Sequence, residues 1–233
     1  YGRTRRPGMR SLLLLLLLDG ARGYLPGIDV SHYQGTVDWN AVKNEGKIKF
    51  AMCKATEGVT YTDETLAANW KGMSEAGLIR GAYHFARPSY DATQQADHFV
   101  NAVNSVGGFN TSNTLQLVLD LEANDGLGPA AVWSWTQTFM KRLRALTGRP
   151  GIIYTGYYFW RDQVGDPDSN LDAPLWIAAY SSSPTIPKAW TGVGWAFWQY
   201  GDNGQVPGTP KSGVDVDYFK NGGSYPSIQA LCY

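Results

Sequence analysis

The stretch Leu117-Val118-Leu119-Asp120-Leu121-Glu122 points to both the fold and the chemistry of this chain. Successive side chains of a strand point to opposite faces, so Asp120 and Glu122 share one face while Leu119 and Leu121 share the other. The leucines predict a strand that is buried on both faces. A buried carboxylate without a partner is costly and tends to take up a proton. Two adjacent carboxyls drive their pKa values apart, which is the arrangement that acid-assisted cleavage of a glycosidic bond needs.

Outward from this strand, short apolar strands alternate with amphipathic helices. Strands are predicted at residues 27–30, 48–54, 79–85, 115–121, 151–154, 175–180, 194–199 and 213–218. Helices are predicted at residues 39–44, 63–76, 92–106, 129–147 and 156–164. Five strand–helix units imply right-handed crossovers and a parallel sheet, whereas loops rich in Gly, Pro and Ser separate the last three strands. The pattern predicts one α/β domain over residues 24–233, folded as a closed, TIM-like barrel of eight strands.

In a barrel of this kind, catalytic side chains gather at the carboxyl ends of the strands. Asp29 ends the first predicted strand, Asp120 and Glu122 end the fourth, and Asp215 and Asp217 lie on the last. The first and last strands of a closed barrel are neighbours. We therefore expect Asp29 and Asp215 to lie side by side, across the mouth of the barrel from Asp120 and Glu122.

The N-terminal residues have the pattern of a secretory signal. Met9 and Arg10 precede a run of leucines at 12–18, and small residues at 21–23 stand at the expected cleavage spacing. The run is much shorter than the roughly 20 residues that span a bilayer, so no membrane anchor is predicted. Residues 1–23 are interpreted as upstream residues plus a signal peptide. We expect a secreted protein whose mature chain begins near Tyr24.

Net charge and the positions of the His and Cys residues bear on the expected partners, metal ligands and disulfides. With 20 basic and 20 acidic residues the chain has no net charge, so nucleic acid is not a predicted partner. The spacing of His32, His84 and His98 does not fit a metal site, and neither a metal nor a cofactor is predicted. In an oxidising compartment Cys53 and Cys232 could form one disulfide; the alternative is a buried free Cys53 and an exposed Cys232.

Six motifs carry a family resemblance that extends over residues 25–222. They are Gly27-Ile28-Asp29-Val30-Ser31 with the following His32-Tyr33-Gln34-Gly35, Lys54-Ala55-Thr56-Glu57-Gly58, Gly81-Ala82-Tyr83-His84-Phe85, Leu119-Asp120-Leu121-Glu122, Trp198-Gln199-Tyr200 and Val214-Asp215-Val216-Asp217-Tyr218-Phe219. In these motifs the chain resembles the family-25 glycoside hydrolases, the Chalaropsis-type lysozymes. The resemblance implies a single flattened (β/α)5β3 barrel. It also implies an N-acetylmuramidase that cleaves the β-1,4 bond between N-acetylmuramic acid and N-acetylglucosamine in bacterial peptidoglycan, which we expect to act as a monomer.

The resemblance also implies roles for the acids. Glu122 matches the general acid of the family, Asp120 matches its partner carboxylate, and Asp29 and Asp215 match the other acids of the site. Asp217 stands where the family often has Asn, so its role is open and we group it with the substrate-binding candidates. The preferred mechanism is retention, in which the 2-acetamido oxygen of the substrate attacks the anomeric carbon, Asp120 stabilises the oxazolinium and Glu122 protonates the leaving oxygen.

Aromatic residues near the strand ends are the candidates for stacking on sugar rings. These are Tyr83, Tyr154, Tyr180 and Trp198. Core packing explains any single one of them equally well. Tyr83 and Trp198 are favoured because they belong to matched motifs.

Two alternative functions fit parts of the pattern. A chitinase-like barrel of family 18 also carries Asp-x-Glu on its fourth strand, but its motif has further Asp residues where this chain has Leu115 and Val118. A secreted glycan-binding module on an inactive barrel is the other alternative. The presence of all four acids argues against it, because binding alone rarely needs a proton donor among converging carboxylates.

Overall fold

A computed structural model describes residues 23–233 of the chain. The predicted signal peptide and the residues upstream of it lie outside the described residues, apart from Gly23. The strands are β1 (Tyr24–Val30), β2 (Phe50–Glu57), β3 (Tyr61–Thr62), β4 (Ile79–Phe85), β5 (Val118–Asp120), β6 (Ile152–Gly156), β7 (Leu175–Ala178), β8 (Phe197–Gly204) and β9 (Val214–Lys220). The helices are α1 (Trp39–Asn44), α2 (Leu66–Glu75), α3 (Ala92–Ser105), α4 (Pro129–Thr147) and α5 (Tyr157–Phe159), which continues into a π-helical turn at Trp160–Val164.

Eight of these strands form the predicted closed barrel. The strand order is β1-β9-β8-β7-β6-β5-β4-β2, and β1 pairs with β2 to close the ring. Strand β3 lies outside it as an antiparallel partner of β2. Strands β1, β2, β4, β5 and β6 are each followed by a helix before the next barrel strand, and β7, β8 and β9 complete the ring. This confirms the closed α/β barrel with five strand–helix units and three further strands.

The last strand runs antiparallel to the seven other strands of the barrel. Strand β9 is antiparallel to both β8 and β1, whereas the remaining pairs of the barrel are parallel. A parallel connection needs a crossover of a dozen or more residues, and residues 205–213 are too few to provide one. The amino end of β9 therefore lies at the mouth of the barrel, level with the carboxyl end of β1.

Local sequence accounts for the long helix α4. Pro129 occupies its first turn, where the missing N–H would have no partner, and Gly148 ends it in the left-handed region with φ of 72°. Gly148 N–H donates to the Arg144 carbonyl, as in a left-handed helix cap. The predicted bounds of α4, of α1 and of β4 are confirmed.

Two hydrophobic layers hold the barrel. The inner layer fills the interior of the barrel with large side chains, among them Phe50, Met52, Val118, Trp176, Phe197 and Phe219. The outer layer lies between strands and helices and includes Leu119 and Leu121. Asp120 lies on the inner face, so the predicted alternation of this strand is correct.

The two cysteines belong to different layers. Cys53 is packed in the outer layer, whereas Cys232 is packed in the inner one beside Leu231. Both are free thiols and both are buried, and burial raises the pKa of Cys232 to about 11. The predicted alternatives are thus wrong in two respects: no disulfide joins the cysteines, and Cys232 is not exposed. The cause is the alternation of β2, which directs Cys53 away from the barrel interior where Cys232 lies.

Within residues 23–233, no helix has the length and apolar character needed to cross a membrane.

Candidate active site

The barrel brings the four predicted acids together at its mouth. Asp29 on β1 and Asp215 on β9 are direct partners in the antiparallel ladder. Asp120 ends β5, and Glu122 follows it by two residues on the same face. All four line one cavity of about 190 Å³. Asp29 and Asp120 are buried, Asp215 is half-buried and Glu122 is exposed at the rim.

Burial and mutual repulsion raise the pKa of every acid in this group. For Asp29 burial is the main cause, followed by the charges of Asp217 and Asp215. For Asp120 burial again leads, and the neighbouring Glu122 carboxyl adds to it. Desolvation raises the pKa of Glu122 above its usual 4.5 and the Asp215 charge raises it further, while burial brings the pKa of Asp215 to about 6. The site therefore holds carboxyls that keep protons at mildly acidic pH, as a general acid requires.

Lys54 supplies positive charge at the mouth. It lines the cavity and lowers the pKa of both Asp120 and Glu122. Its ammonium lies 2.5 Å from Glu57, whose other carboxylate oxygen lies 2.6 Å from Arg87. Lys54 thus both shapes the mouth and pairs with Glu57. It counteracts, without abolishing, the rise in pKa of the two acids.

Gln199 is the main site residue that was not predicted from the sequence. It is 3% exposed, and its amide nitrogen donates to Asp29 Oδ2 at 2.8 Å. Its amide oxygen accepts from the hydroxyls of Tyr154 and Tyr180 at 3.0 and 3.1 Å. The motif Trp198-Gln199-Tyr200 contained the relevant signal, because alternation on a strand allows only one of Trp198 and Gln199 to face the acids.

The structure places Trp198 on the wrong side of the sheet for a sugar contact. Its ring packs in the outer layer against Trp195, with ring centroids 5.7 Å apart. Its indole N–H donates to the Ala179 carbonyl at 2.7 Å. This placement argues against the predicted substrate contact of Trp198, because Gln199 takes the inward position on β8.

Asp217 lies below the surface of the cavity. Its side chain is fully buried, and Oδ1 accepts from Trp176 Nε1 at 2.8 Å. Because β9 is antiparallel, Asp217 pairs with Gly27 and lies two residues deeper than the Asp29–Asp215 pair. The ring of Trp176, and not Asp217, lines the cavity. The complete burial of Asp217 therefore argues against its predicted substrate-binding role.

The other predicted aromatic residues lie on both sides of Glu122. Tyr83 and Tyr154 line the cavity with the acids. Tyr154 and Tyr180 line a second cavity of about 550 Å³, which also contains Glu122. Tyr158 in the second cavity was not predicted; it is 70% exposed, and Tyr180 is 58% exposed. Glu122 thus lies where two aromatic-lined cavities meet.

A tight turn presents another aromatic ring at the rim. Tyr33 is 81% exposed and lines the first cavity. Ser31 caps the turn, and the neighbouring His32 is fixed by the buried Asp63, with His32 Nδ1 2.8 Å from Asp63 Oδ2.

No cluster of three or more His, Cys, Asp or Glu residues suited to a metal ion occurs in the part of the chain that the structure describes.

Known proteins are similar to this chain in both sequence and fold. The family described as glycosyl hydrolases family 25 matches residues 28–209. Lysozyme M1 of Streptomyces globisporus is 41% identical, over 88% of this chain and 70% of its own length. An N,O-diacetylmuramidase of Chalaropsis sp is 34% identical, over 70% of this chain and 82% of its own length. The crystal structure of a bacterial lysozyme from Streptomyces coelicolor superposes with a TM-score of 0.80 at 37% identity, covering 89% of this chain and 96% of the other.

These matches define the class of the protein as a glycoside hydrolase built on a closed α/β barrel, which confirms the prediction from the sequence. The chain belongs to glycosyl hydrolases family 25.

Proposed function

We propose that this protein is a lysozyme that hydrolyses the β-1,4 bond between N-acetylmuramic acid and N-acetylglucosamine in bacterial peptidoglycan. The position of Glu122 carries the proposal. A carboxyl with a raised pKa at the junction of two aromatic-lined cavities can protonate the oxygen of a bond that joins sugars lying in both. The relatives named lysozyme and N,O-diacetylmuramidase support this substrate class.

Asp120 has the properties required to assist an acetamido group. Its Oδ1 is buried and has no hydrogen-bond partner among the described residues. A buried acceptor without a donor is unfavourable, so it forms a ready site for a donor on the substrate. In the proposed mechanism the N–H of the 2-acetamido group donates to Asp120 while its carbonyl oxygen attacks the anomeric carbon.

Glu122 acts twice in this scheme. It first gives its proton to the leaving glycosidic oxygen, and an oxazolinium forms on the remaining sugar. The negative charge of Asp120 stabilises this cation. Glu122, now a carboxylate, then removes a proton from water, which opens the oxazolinium with overall retention of configuration. Asp29 and Asp215 complete the acidic wall on the opposite side, and the Lys54 charge lowers the pKa of Asp120.

The experiment is mass analysis of the fragments released from purified cell walls, together with the rate of turbidity clearing. We expect reducing N-acetylmuramic acid ends, and we expect Glu122→Gln to reduce the rate by about 10²- to 10⁴-fold, the usual contribution of a general acid. Glu64→Gln is the matched control, because Glu64 is an exposed glutamate outside both cavities and should clear walls normally.

Different failures point to different alternatives. Undiminished clearing by Glu122→Gln contradicts the assigned acid. Wall binding without any release by the unaltered protein supports a glycan-binding module, and preferential turnover of chitin supports the chitinase-like alternative. Inversion at the anomeric carbon, measured by NMR of the initial product, rules out the acetamido route but not the substrate.

We further propose that residues 1–23 are removed on secretion and that residues 24–233 form the extracellular catalytic domain. The basic start and leucine run of the N-terminal stretch support this proposal. N-terminal sequencing of the exported protein tests it. A mature chain that retains the leucines at 12–18 contradicts it.

A further inference from the structure

Asp217, which lies below the Asp29–Asp215 pair, lacks a donor for one of its oxygens. Trp176 Nε1 donates to Oδ1, but Oδ2 is fully buried and finds no hydrogen-bond partner among the described residues. The side chain has no exposed surface through which water could supply one. An ionised carboxylate in this position leaves a charged oxygen without compensation, which is strongly unfavourable.

The groups that face Asp217 are acids and neutral donors. Asp29 from β1 and Asp215 from β9 both interact with it, and Trp176 from β7 is its one identified donor. Asp29 in turn is surrounded by carboxyls, and Tyr83 from β4 lies near it with a raised pKa that keeps its hydroxyl neutral. No cation is among the groups that act most strongly on Asp29 or Asp217. Adjacent carboxyls without a cation all ionise only at high pH, so this group retains at least one proton at acidic and neutral pH.

We propose that Asp217 is a positioning residue, which shares one proton with Asp29 and thereby fixes the Asp29 carboxyl at the floor of the active site. The side chains of Asp217 and Asp29 are in hydrogen-bonding contact, so the proton gives the otherwise unpartnered Oδ2 of Asp217 a hydrogen bond with the Asp29 carboxyl. Gln199 holds the other side of Asp29 through its bond to Oδ2. Held from both sides, Asp29 keeps one orientation beside Asp215. The expected effect on catalysis rests on the proposed function, whereas the shared proton itself does not.

The pH range of the arrangement follows from burial. Burial raises the pKa of Asp217 to about 8, so the shared proton persists through acidic and neutral pH. Above that pH two adjacent anions repel each other and the position of Asp29 is lost. The folded protein also binds a proton that the unfolded chain releases between the usual pKa of 3.8 and about 8. Stability contributed at low pH is therefore lost as pH rises through this interval.

Asp217→Asn and Asp217→Leu test the proposal in the full chain. Asn can accept from Trp176 and donate to Asp29 but cannot ionise, whereas Leu has similar size and does neither. We expect Asp217→Asn to retain wall-clearing activity. We expect Asp217→Leu to lower kcat/KM by about 10- to 100-fold, as for loss of a hydrogen bond to a charged group. At alkaline pH the plot of log kcat/KM against pH should steepen by about one unit of slope in the unaltered protein and not in Asp217→Asn.

A second measurement does not depend on activity. The melting temperature of the unaltered protein should fall relative to that of Asp217→Asn between about pH 4 and pH 8, because only in the unaltered protein does the unfolded chain release a proton that the folded protein keeps. Asp202→Asn, an exposed change on β8 near the same acids, is the control and should follow the unaltered protein. If Asp217→Asn is as impaired as Asp217→Leu, or if its melting temperature runs parallel to that of the unaltered protein, the proposal is overturned. If the unaltered protein clears no walls but its melting curve still diverges from that of Asp217→Asn, the shared proton is supported and only the proposed function is contradicted.

Discussion

Replacing Gln199 by Leu removes the hydrogen bonds of one buried amide with little change in side-chain volume. The bond to Asp29 involves a carboxyl that can be charged and is worth about 1.5–3 kcal/mol, and the neutral bond from Tyr154 about 0.5–1.5 kcal/mol. The hydroxyl of Tyr180 belongs to a half-exposed side chain and can bond to water instead, so its loss adds little. The sum is a loss of about 3 kcal/mol in the free energy of unfolding.

Thermal and denaturant unfolding measure this loss. For a domain of this size about 3 kcal/mol corresponds to a fall of about 6–12 °C in melting temperature. Gln199 also lowers the pKa of Asp29, so the variant should hold a proton on Asp29 to higher pH. Gln205→Leu is the matched control, since Gln205 is exposed and should change stability by no more than about 0.5 kcal/mol. A Gln199→Leu protein as stable as this control refutes the view that the Tyr154–Gln199–Asp29 chain stabilises the barrel.

Three further outcomes are expected. Lys54→Met should shift the alkaline limb of the activity profile to higher pH, because the Lys54 charge lowers the pKa of the acid Glu122; a shift to lower pH contradicts this. Trp198→Phe should keep wall-clearing activity but lower the free energy of unfolding by about 1–2 kcal/mol in chemical denaturation, since it loses one buried hydrogen bond and some packing. A reducing agent should leave the melting temperature unchanged, and alkylation of Cys53 and Cys232 should require unfolding, because both are buried free thiols.

The elements that the sequence predicted best are those governed by local interactions. The ends of α4 follow from Pro129 and Gly148, which act within one turn of the helix. The fourth predicted strand was too long for a non-local reason. Leu115 forms an isolated bridge with Cys232, and Gln116 N–H donates to the Leu231 carbonyl, so the C-terminal residues take up the start of the segment. A pattern of apolar residues carries no information on such a distant partner.

The residues that form the site could be predicted from the sequence, but the depth of each residue in the barrel could not. Strand alternation placed Asp120 with Glu122, and Asp215 with Asp217, on common faces. Which acids meet the substrate depends on the direction and register of β9, which are set by pairing with β1 and β8. That pairing raises Asp215 to the level of Asp29 and lowers Asp217 beneath it.

The sequence by itself determined the strand–helix alternation, the four converging acids and the family to which the chain belongs. Only the tertiary structure decided that Gln199 and not Trp198 faces those acids, that Asp217 is buried below them, and that the cysteines lie on opposite sides of the sheet. The physical reason is common to all three cases. The period of a strand fixes which side chains share a face, whereas the closure of the barrel decides which face is the interior.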